Sequence, residues 1–295
     1  MKTGLVDLGG PVHYADFGGS GPPMVLVHGL GGSLANWMAV GGALTARYRV
    51  LALDLTGFGR TPPGAGRTAA VPANVALVGR FIDEVAGGPA VVAGNSMGGL
   101  IGALLAASRP GLVTRLILVN AALGRAPGAP LDPRVAALFS IYMTPFAGNL
   151  FLRWRAATIG PERTVHQTLR LCGVHPSRLP PEVLAAHVAI ARDRALMPWA
   201  DGAFLTAARS IMVLTAWRAR LDEMLRSIQV PTLIVHGTED RLVPLATAQH
   251  AARLRPDWSL SVLDGVGHTP QLEVPGRWLA AVNGWLDGQV GIGTG

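Results

Sequence analysis

The richest chemistry in this 295-residue chain sits in Gly94-Asn95-Ser96-Met97-Gly98. A serine hydroxyl is a weak nucleophile until a base takes its proton. The spacing fits G-x-S-x-G, in which a strand turns sharply into a helix and leaves the serine hydroxyl projecting at the sheet edge. The flanks agree: Ala90-Val91-Val92-Ala93 is strand-like, and Met97 opens an apolar helical run through Leu105. Side chains at positions 94 and 98 would collide across such a turn, and a helix N-terminus favours negative charge developing beside it. In a chain with 38 glycines the pattern alone is weak, so its place between strand and helix gives it its weight.

A base and an orienting acid must complete the chemistry, which would then be acyl transfer. Among eight histidines, His13, His166, His175, His187 and His250 lie in strand- or helix-like contexts without glycine turns, the setting of surface or core polar residues. His268 differs, because Leu263-Asp264-Gly265-Val266-Gly267-His268 is a loop directly after the last strand-like run. Asp240 occupies the matching position after the preceding run, in His236-Gly237-Thr238-Glu239-Asp240. All three candidates therefore fall at carboxyl ends of strands, where open α/β sheets place their ligands. Neighbouring Glu239 is expected to be solvated, and Asp264 to end its strand.

The elements that must position these residues are legible as short apolar runs. They are Val12 to Phe17, Met24 to His28, Val50 to Leu55, Ala90 to Asn95, Leu116 to Asn120, Thr232 to His236 and Ser259 to Leu263. Runs this rich in Val, Leu and Ile suit strands buried on both faces of a parallel sheet. Helical spacing separates them: Ala73 to Ala86 sets Val75, Val78, Ile82 and Val85 on one face, and Met97 to Ser108 is small and apolar. Alternation of strand and helix predicts an α/β domain. It stops after Asn120, and residues 121–227 read as helices interrupted by prolines such as Pro133, Pro145, Pro161, Pro181 and Pro198. The glycine-rich tail after Leu286 is expected to fray.

The bulk numbers are those of a folded chain: 49% hydrophobic and 15% charged residues. The net charge of +7 comes almost wholly from residues 125–226, which hold 13 arginines against seven acids. No Lys/Arg run tracks phosphates, so no nucleic-acid partner is expected. Cys172 is the only cysteine, which excludes an intrachain disulfide. Without a signal-like stretch or a long apolar span, a cytoplasmic protein without stable membrane insertion is expected. There is no paired Cys/His spacing, no phosphate loop and no G-x-G-x-x-G, so no metal and no cofactor are expected.

Five motifs occur in order: His28-Gly29, Asp54-Leu55-Thr56-Gly57-Phe58-Gly59-Arg60-Thr61, Gly94 to Gly98, Gly237-Thr238-Glu239-Asp240 and Gly267-His268. With them the chain resembles serine hydrolases of the α/β-hydrolase fold from about Val12 to Leu286. The resemblance implies a mostly parallel eight-stranded sheet flanked by helices. Residues 1–120 and 228–295 would form this core, and 121–227 a helical lid over the active site. It implies Ser96, Asp240 and His268 as the catalytic triad, in the chain order of that fold. It also implies an oxyanion hole made by the backbone N–H groups of Leu30 and Met97. His28 is then expected to shape the loop, and Trp37, Asn95 and Tyr142 to contact substrate, with a packing role equally open for Trp37. Some relatives carry the acid near the position of Asn120.

Ser96 argues against the epoxide hydrolases and haloalkane dehalogenases of this fold, which attack with aspartate. Gly-Asn-Ser-Met-Gly-Gly also occurs in relatives that cleave carbon–carbon bonds of ring-fission products. Those carry tryptophan after the histidine, where this chain has Thr269, and their glycine-rich oxyanion loop differs from His28-Gly29-Leu30-Gly31-Gly32. The expected reaction is hydrolysis of an apolar acyl ester through an acyl-enzyme. The alternatives are carbon–carbon hydrolysis, perhydrolysis or acyl transfer on the same triad, and a non-catalytic binding module. The basic, apolar-rich lid leaves two readings open: an anionic group on the substrate or peripheral contact with an anionic lipid surface, and a lid core packed on the sheet with solvated arginines.

Overall fold

The computed structural model describes residues 1–64, 66–126 and 128–288; the tail from 289 to 295 lies outside the described residues. The seven apolar runs all become strands, and an eighth precedes them. They are β1 (Lys2–Asp7), β2 (Pro11–Gly18), β3 (Pro23–Val27), β4 (Arg49–Leu53), β5 (Ala90–Asn95), β6 (Val113–Val119), β7 (Thr232–Gly237) and β8 (Ser259–Leu263). They form one sheet in the order β1-β2-β4-β3-β5-β6-β7-β8. β2 runs antiparallel to both β1 and β4, and every other pairing is parallel. β1 left no apolar run because it is an edge strand that is mostly exposed.

The helices are α1 (Met38–Leu44), α2 (Val71–Phe81), α3 (Met97–Ser108), α4 (Pro133–Met143), α5 (Ala147–Thr158), α6 (Pro161–Leu171), α7 (Pro181–Ala195), α8 (Ala200–Ala216), α9 (Arg218–Ser227), α10 (Leu245–Leu254), α11 (Pro270–Glu273) and α12 (Pro275–Leu286). Alternation along each strand sorts the core into two layers. Val25, Val27, Leu51, Leu53, Val92 and Leu118 pack with α2, α3 and α10. Their neighbours Met24, Leu26, Val50, Ala52, Val91 and Val119 pack with α1 and α12, around Trp37 and Trp278. Both faces are covered, which explains why the strands read as continuous apolar runs.

Between β6 and β7 the described residues hold only helices, as the proline-broken pattern of 121–227 indicated. The segment is not uniform. Leu221 and Leu225 of α9 join the main core, where α9 packs on α3 and α10. Ala203, Ala207 and Ile211 of α8 reach the same layer. α6 and α7 instead enclose Leu169, Cys172, Val174 and Val183 together with Leu272 of α11.

The loop after β4 is organised by Asp54. Its Oδ1 accepts the Leu34 N–H at 2.7 Å, and its Oδ2 accepts the Arg60 N–H at 2.9 Å and pairs with His13 Nδ1 at 2.7 Å. This buried staple ties β2, the turn at Leu34 and the Asp54–Thr61 motif into one body. Asp54→Ala would strand those donors, and breaking a buried pair from one side costs about 3–5 kcal/mol. The expected outcome is a fall of that size in urea unfolding; an unchanged midpoint would show that the staple carries no stability.

Candidate active site

β5 ends at Asn95 and α3 begins at Met97, so Ser96 alone turns the chain, at φ 55 and ψ −114. A side-chain-bearing residue held there costs about 1–3 kcal/mol and persists only when its surroundings fix it. They do: the Ser96 N–H donates to Val119 O at 2.9 Å, and the Ser96 carbonyl accepts from the N–H groups of Leu100 and Ala122 at 3.1 Å each. The collision expected at the flanking glycines is real. A Cβ at Gly94 would lie 2.2 Å from Gly98 O, and one at Gly98 would lie 2.2 Å from Val27 O.

The loop after β3 closes on the same spot, with Gly29 so near that a Cβ there would lie 3.1 Å from Ser96 Cβ. His28 shapes this loop. Its Nε2 accepts the Leu55 N–H at 3.0 Å, which leaves the proton on Nδ1 to donate to Gly29 O at 2.8 Å. Burial pushes the imidazole below its ordinary pKa, against the pull of Asp54 and Gly29, so it stays neutral. Among the described residues the N–H groups of Leu30 and Met97 meet no protein acceptor, and that of Met97 is an unpaired donor at a helix start.

Asp240 and His268 come from the loops after β7 and β8 and meet at 2.7 Å, Oδ2 to Nδ1, both buried. Asp240 Oδ1 accepts the N–H groups of Leu242 at 2.8 Å and Val243 at 3.0 Å. Oδ2 also accepts Asn120 Nδ2 at 2.7 Å, and His236 Nε2 stands 3.5 Å away while donating to Val243 O. Burial by itself pushes the Asp240 carboxyl up. The charge and hydrogen bond of His268, with His236 and the Asn120 amide, outweigh it and hold the group below the usual carboxylate range. Ser96 Oγ makes no hydrogen bond to the described residues, His268 included; in acyl-transfer sites this contact tightens when substrate binds.

The histidine backbone is fixed from three sides. Asn95 Nδ2 donates to His268 O at 3.0 Å and to Val119 O at 3.1 Å, linking the histidine to the residue before Ser96. The His268 N–H donates to Cys172 O at 2.9 Å, across to the helical segment. Glu273 accepts the Gly267 N–H at 2.7 Å and pairs with Arg178, which also donates to Gly265 O at 3.0 Å. Gly173, at φ 77, makes the joint possible, since a Cβ there would lie 2.2 Å from Glu239 O. The Cys172 thiol, pushed up to about 12 by burial and then by Asp240, stays neutral.

Two of the three expected substrate contacts find other settings, and the third stays beside the loop after β3. Trp37 is fully buried on the far layer of the sheet, 5.9 Å from the Trp278 ring, so packing has claimed it. The Asn95 amide donors are spent on backbone carbonyls, which makes it a positioning residue. Tyr142 is buried among Phe139, Phe151, Leu205 and Phe204, in a cluster that also holds Leu30. Sequence reasoning missed His236, Glu273, Arg178 and Gly173. Signals existed for two of them: His236 stands four residues before Asp240, and Glu273 is the one acid between Gly265 and Leu286.

Residues 22–275 match the family model described as alpha/beta hydrolase fold. The chain is 32% identical to a pimeloyl-[acyl-carrier protein] methyl ester esterase of Aromatoleum aromaticum, over 86% of this chain and 94% of that one. It is 28% identical to a 2-hydroxy-6-oxo-2,4-heptadienoate hydrolase of Pseudomonas putida, over 91% and 90% of the two chains. Its fold is similar to the crystal structure of a bacterial membrane phospholipase A, with a TM-score of 0.75 and 27% identity, covering 98% of this chain and 86% of the other. By sequence match and by sheet order alike, this chain belongs to the alpha/beta hydrolase family.

Proposed function

We propose that the chain hydrolyses carboxylic esters of apolar acids through an acyl-enzyme on Ser96, with His268 as base and Asp240 as its orienting acid. The observation that carries this reading is the buried 2.7 Å pair of Asp240 and His268, held by Asn95, the residue before Ser96. Ser96 Oγ attacks the ester carbonyl as its proton passes to His268 Nε2, and the N–H groups of Leu30 and Met97 receive the oxyanion. Collapse expels the alcohol, which takes the proton from His268. Water, deprotonated by the same imidazole, then releases the acid and restores Ser96. Asp240, already ionised, stabilises the imidazolium without taking its proton. Each oxyanion donor of this kind is worth about 10²–10³ in rate.

The helical segment acts in this reading as a lid whose inner wall receives the acyl chain. Leu30, Tyr142 and Phe204 cluster beside the proposed oxyanion loop and supply an apolar surface for it. The ester reading is also supported by the similarity to an esterase over most of both chains.

A second observation bears on substrate charge. Arg194 Nη1 lies 3.9 Å from where a Cβ on Gly31 would stand, beside the same loop. Its guanidinium lies 5.2 Å from the Phe204 ring centre and donates to Ala200 O at 3.1 Å, with no salt bridge among the described residues. Burial lowers its pKa, though an arginine keeps its proton. A cation so placed favours a substrate with a carboxylate a few atoms from the scissile bond. It also keeps open the carbon–carbon hydrolase reading, supported by the likeness to the heptadienoate hydrolase.

A fluorophosphonate probe is expected to label the wild-type chain and not Ser96→Ala, which should lose about 10⁴–10⁶ in turnover. Failure to label would end the acyl-enzyme proposal. Among p-nitrophenyl esters, octanoate should exceed acetate in kcat/KM, and a preference for acetate would remove the apolar wall from the account. Arg194→Met should raise KM for a half-ester of a dicarboxylic acid by about tenfold and leave the neutral octanoate unchanged. Equal effects on the two esters would deny Arg194 a role in charge recognition; turnover of a vinylogous diketone acid above both would favour the second reading.

Asn120→Asp would set a second carboxylate against Asp240 Oδ2. Extra negative charge favours the protonated forms of both Asp240 and His268, and each must be unprotonated to act. The acidic limb of kcat/KM is therefore expected to move to higher pH by about one unit. A limb that stays in place would show that Asn120 does not govern the relay.

A further inference from the structure

Helices of a protein in water turn their large apolar side chains inward, and α5 departs from this along one stripe. Phe146, Leu150 and Trp154, spaced four residues apart, are 84%, 72% and 55% exposed. Met143, at the end of α4, is exposed beside the same turn. The inner side of this corner is already satisfied, because Tyr142 and Leu152 pack on Leu205 and Ala208. The outer stripe is therefore not a core that failed to close. Phe146 stands at the head of α5 with φ 65, a left-handed backbone that costs a non-glycine residue. Arg209 braces the turn by donating to Tyr142 O at 2.9 Å and Thr144 O at 3.5 Å.

Charge and composition point to one occupant. From Pro133 to Gly160 the chain holds Arg134, Arg153 and Arg155, and no aspartate, glutamate or lysine. Arg153 is exposed three residues after Leu150, with no hydrogen bond or salt bridge among the described residues. Together α4 and α5 are as apolar as a membrane span, but the chain bends by 113° between them and no single helix is long and apolar enough to cross. A bent, arginine-bearing corner with an exposed aromatic and leucine stripe suits the boundary of headgroups and acyl chains.

We infer that the α4–α5 corner docks on an anionic lipid bilayer, with Phe146, Leu150 and Trp154 entering the interface and Arg153 meeting the headgroups. The surface stands on its own residues and does not depend on the triad. Because the inner side of the corner packs with Leu30 and Phe204, docking would hold the proposed acyl wall close to the membrane.

The test is co-sedimentation of the full chain with vesicles of phosphatidylcholine alone or mixed equally with phosphatidylglycerol. The wild type is expected to pellet with the mixed vesicles and much less with the neutral ones, and to be released by high salt. Replacing Phe146→Asn, Leu150→Ser and Trp154→Ser together should weaken binding about 100-fold or more, with circular dichroism and labelling of Ser96 unchanged. Should the triple variant misfold, Leu150→Ser alone should weaken binding about tenfold and Arg153→Glu should abolish the preference for the anionic vesicles. Equal binding to both vesicle types, no binding to either, or undiminished binding by a folded stripe variant would overturn the inference. So would sedimentation velocity showing that the stripe closes a dimer that ignores vesicles.

Discussion

A carboxylate sealed from water has to be met by donors on every side, and Asp240 imposes that demand on the whole sheet edge. Two donors come from its own loop, the N–H groups of Leu242 and Val243. A third is Asn120 at the end of β6, and the fourth is His268 from the loop after β8. Three neighbouring strands must therefore end at one level, and the register of β6, β7 and β8 provides that level. Without the Asn120 and His268 donors the desolvation cost would neutralise the acid, and a neutral acid could not orient an imidazole.

The same demand explains why part of the helical segment is wedged into the core. The turn at Cys172 and Gly173 supplies the acceptor for the His268 N–H and nests against Gly267 and Glu239. Arg178, a few residues later, clamps Glu273 and Gly265. A movement that lifted α6 away from the sheet would break the support of the histidine. Any opening of the segment would then have to come from α4 and α5, whose contacts beside the site are apolar and whose polar tie to α8 is the Arg209 brace.

Much of this was legible in the residues, and what was not has physical reasons. Strands buried on both faces announce themselves, so seven of eight runs were read within a few residues. β1, paired on one side and mostly exposed, has no such signal. Ser96, Asp240 and His268 could be singled out because each follows a strand-like run in a glycine-bearing turn, the edge at which such sheets place ligands. The residues that hold them were harder to see, because Asn120 reaches Asp240 and Gly267 across 120 and 147 positions and Arg178 reaches Glu273 across 95. For Trp37 the sequence left substrate contact and packing equally open, for a related reason. Its spacing from Gly29 places it near the site along the chain, but the tight turn at Leu34–Trp37 swings the indole under the sheet against Trp278, a contact 241 residues away.

The arginine excess shows why formal charge is a poor guide until each side chain is traced. Several arginines of the helical segment are struts, using a rigid fork of donors to satisfy carbonyls that helix ends leave open. Arg209 serves Tyr142 and Thr144, Arg155 reaches Thr164 and Thr168, and Arg218 joins Arg125 O to the Asp222–His250 pair. Their charge is a by-product of their geometry, and lysine could not replace them because it lacks the planar fork. Other arginines make no salt bridge among the described residues and stand beside apolar surface. Arg194 lies against the Phe204 ring, with Asp201 near enough to favour its charge, and Arg153 lies beside the exposed stripe. A guanidinium is weakly hydrated enough to sit in such places, and it gains most there from an anion brought with the ligand.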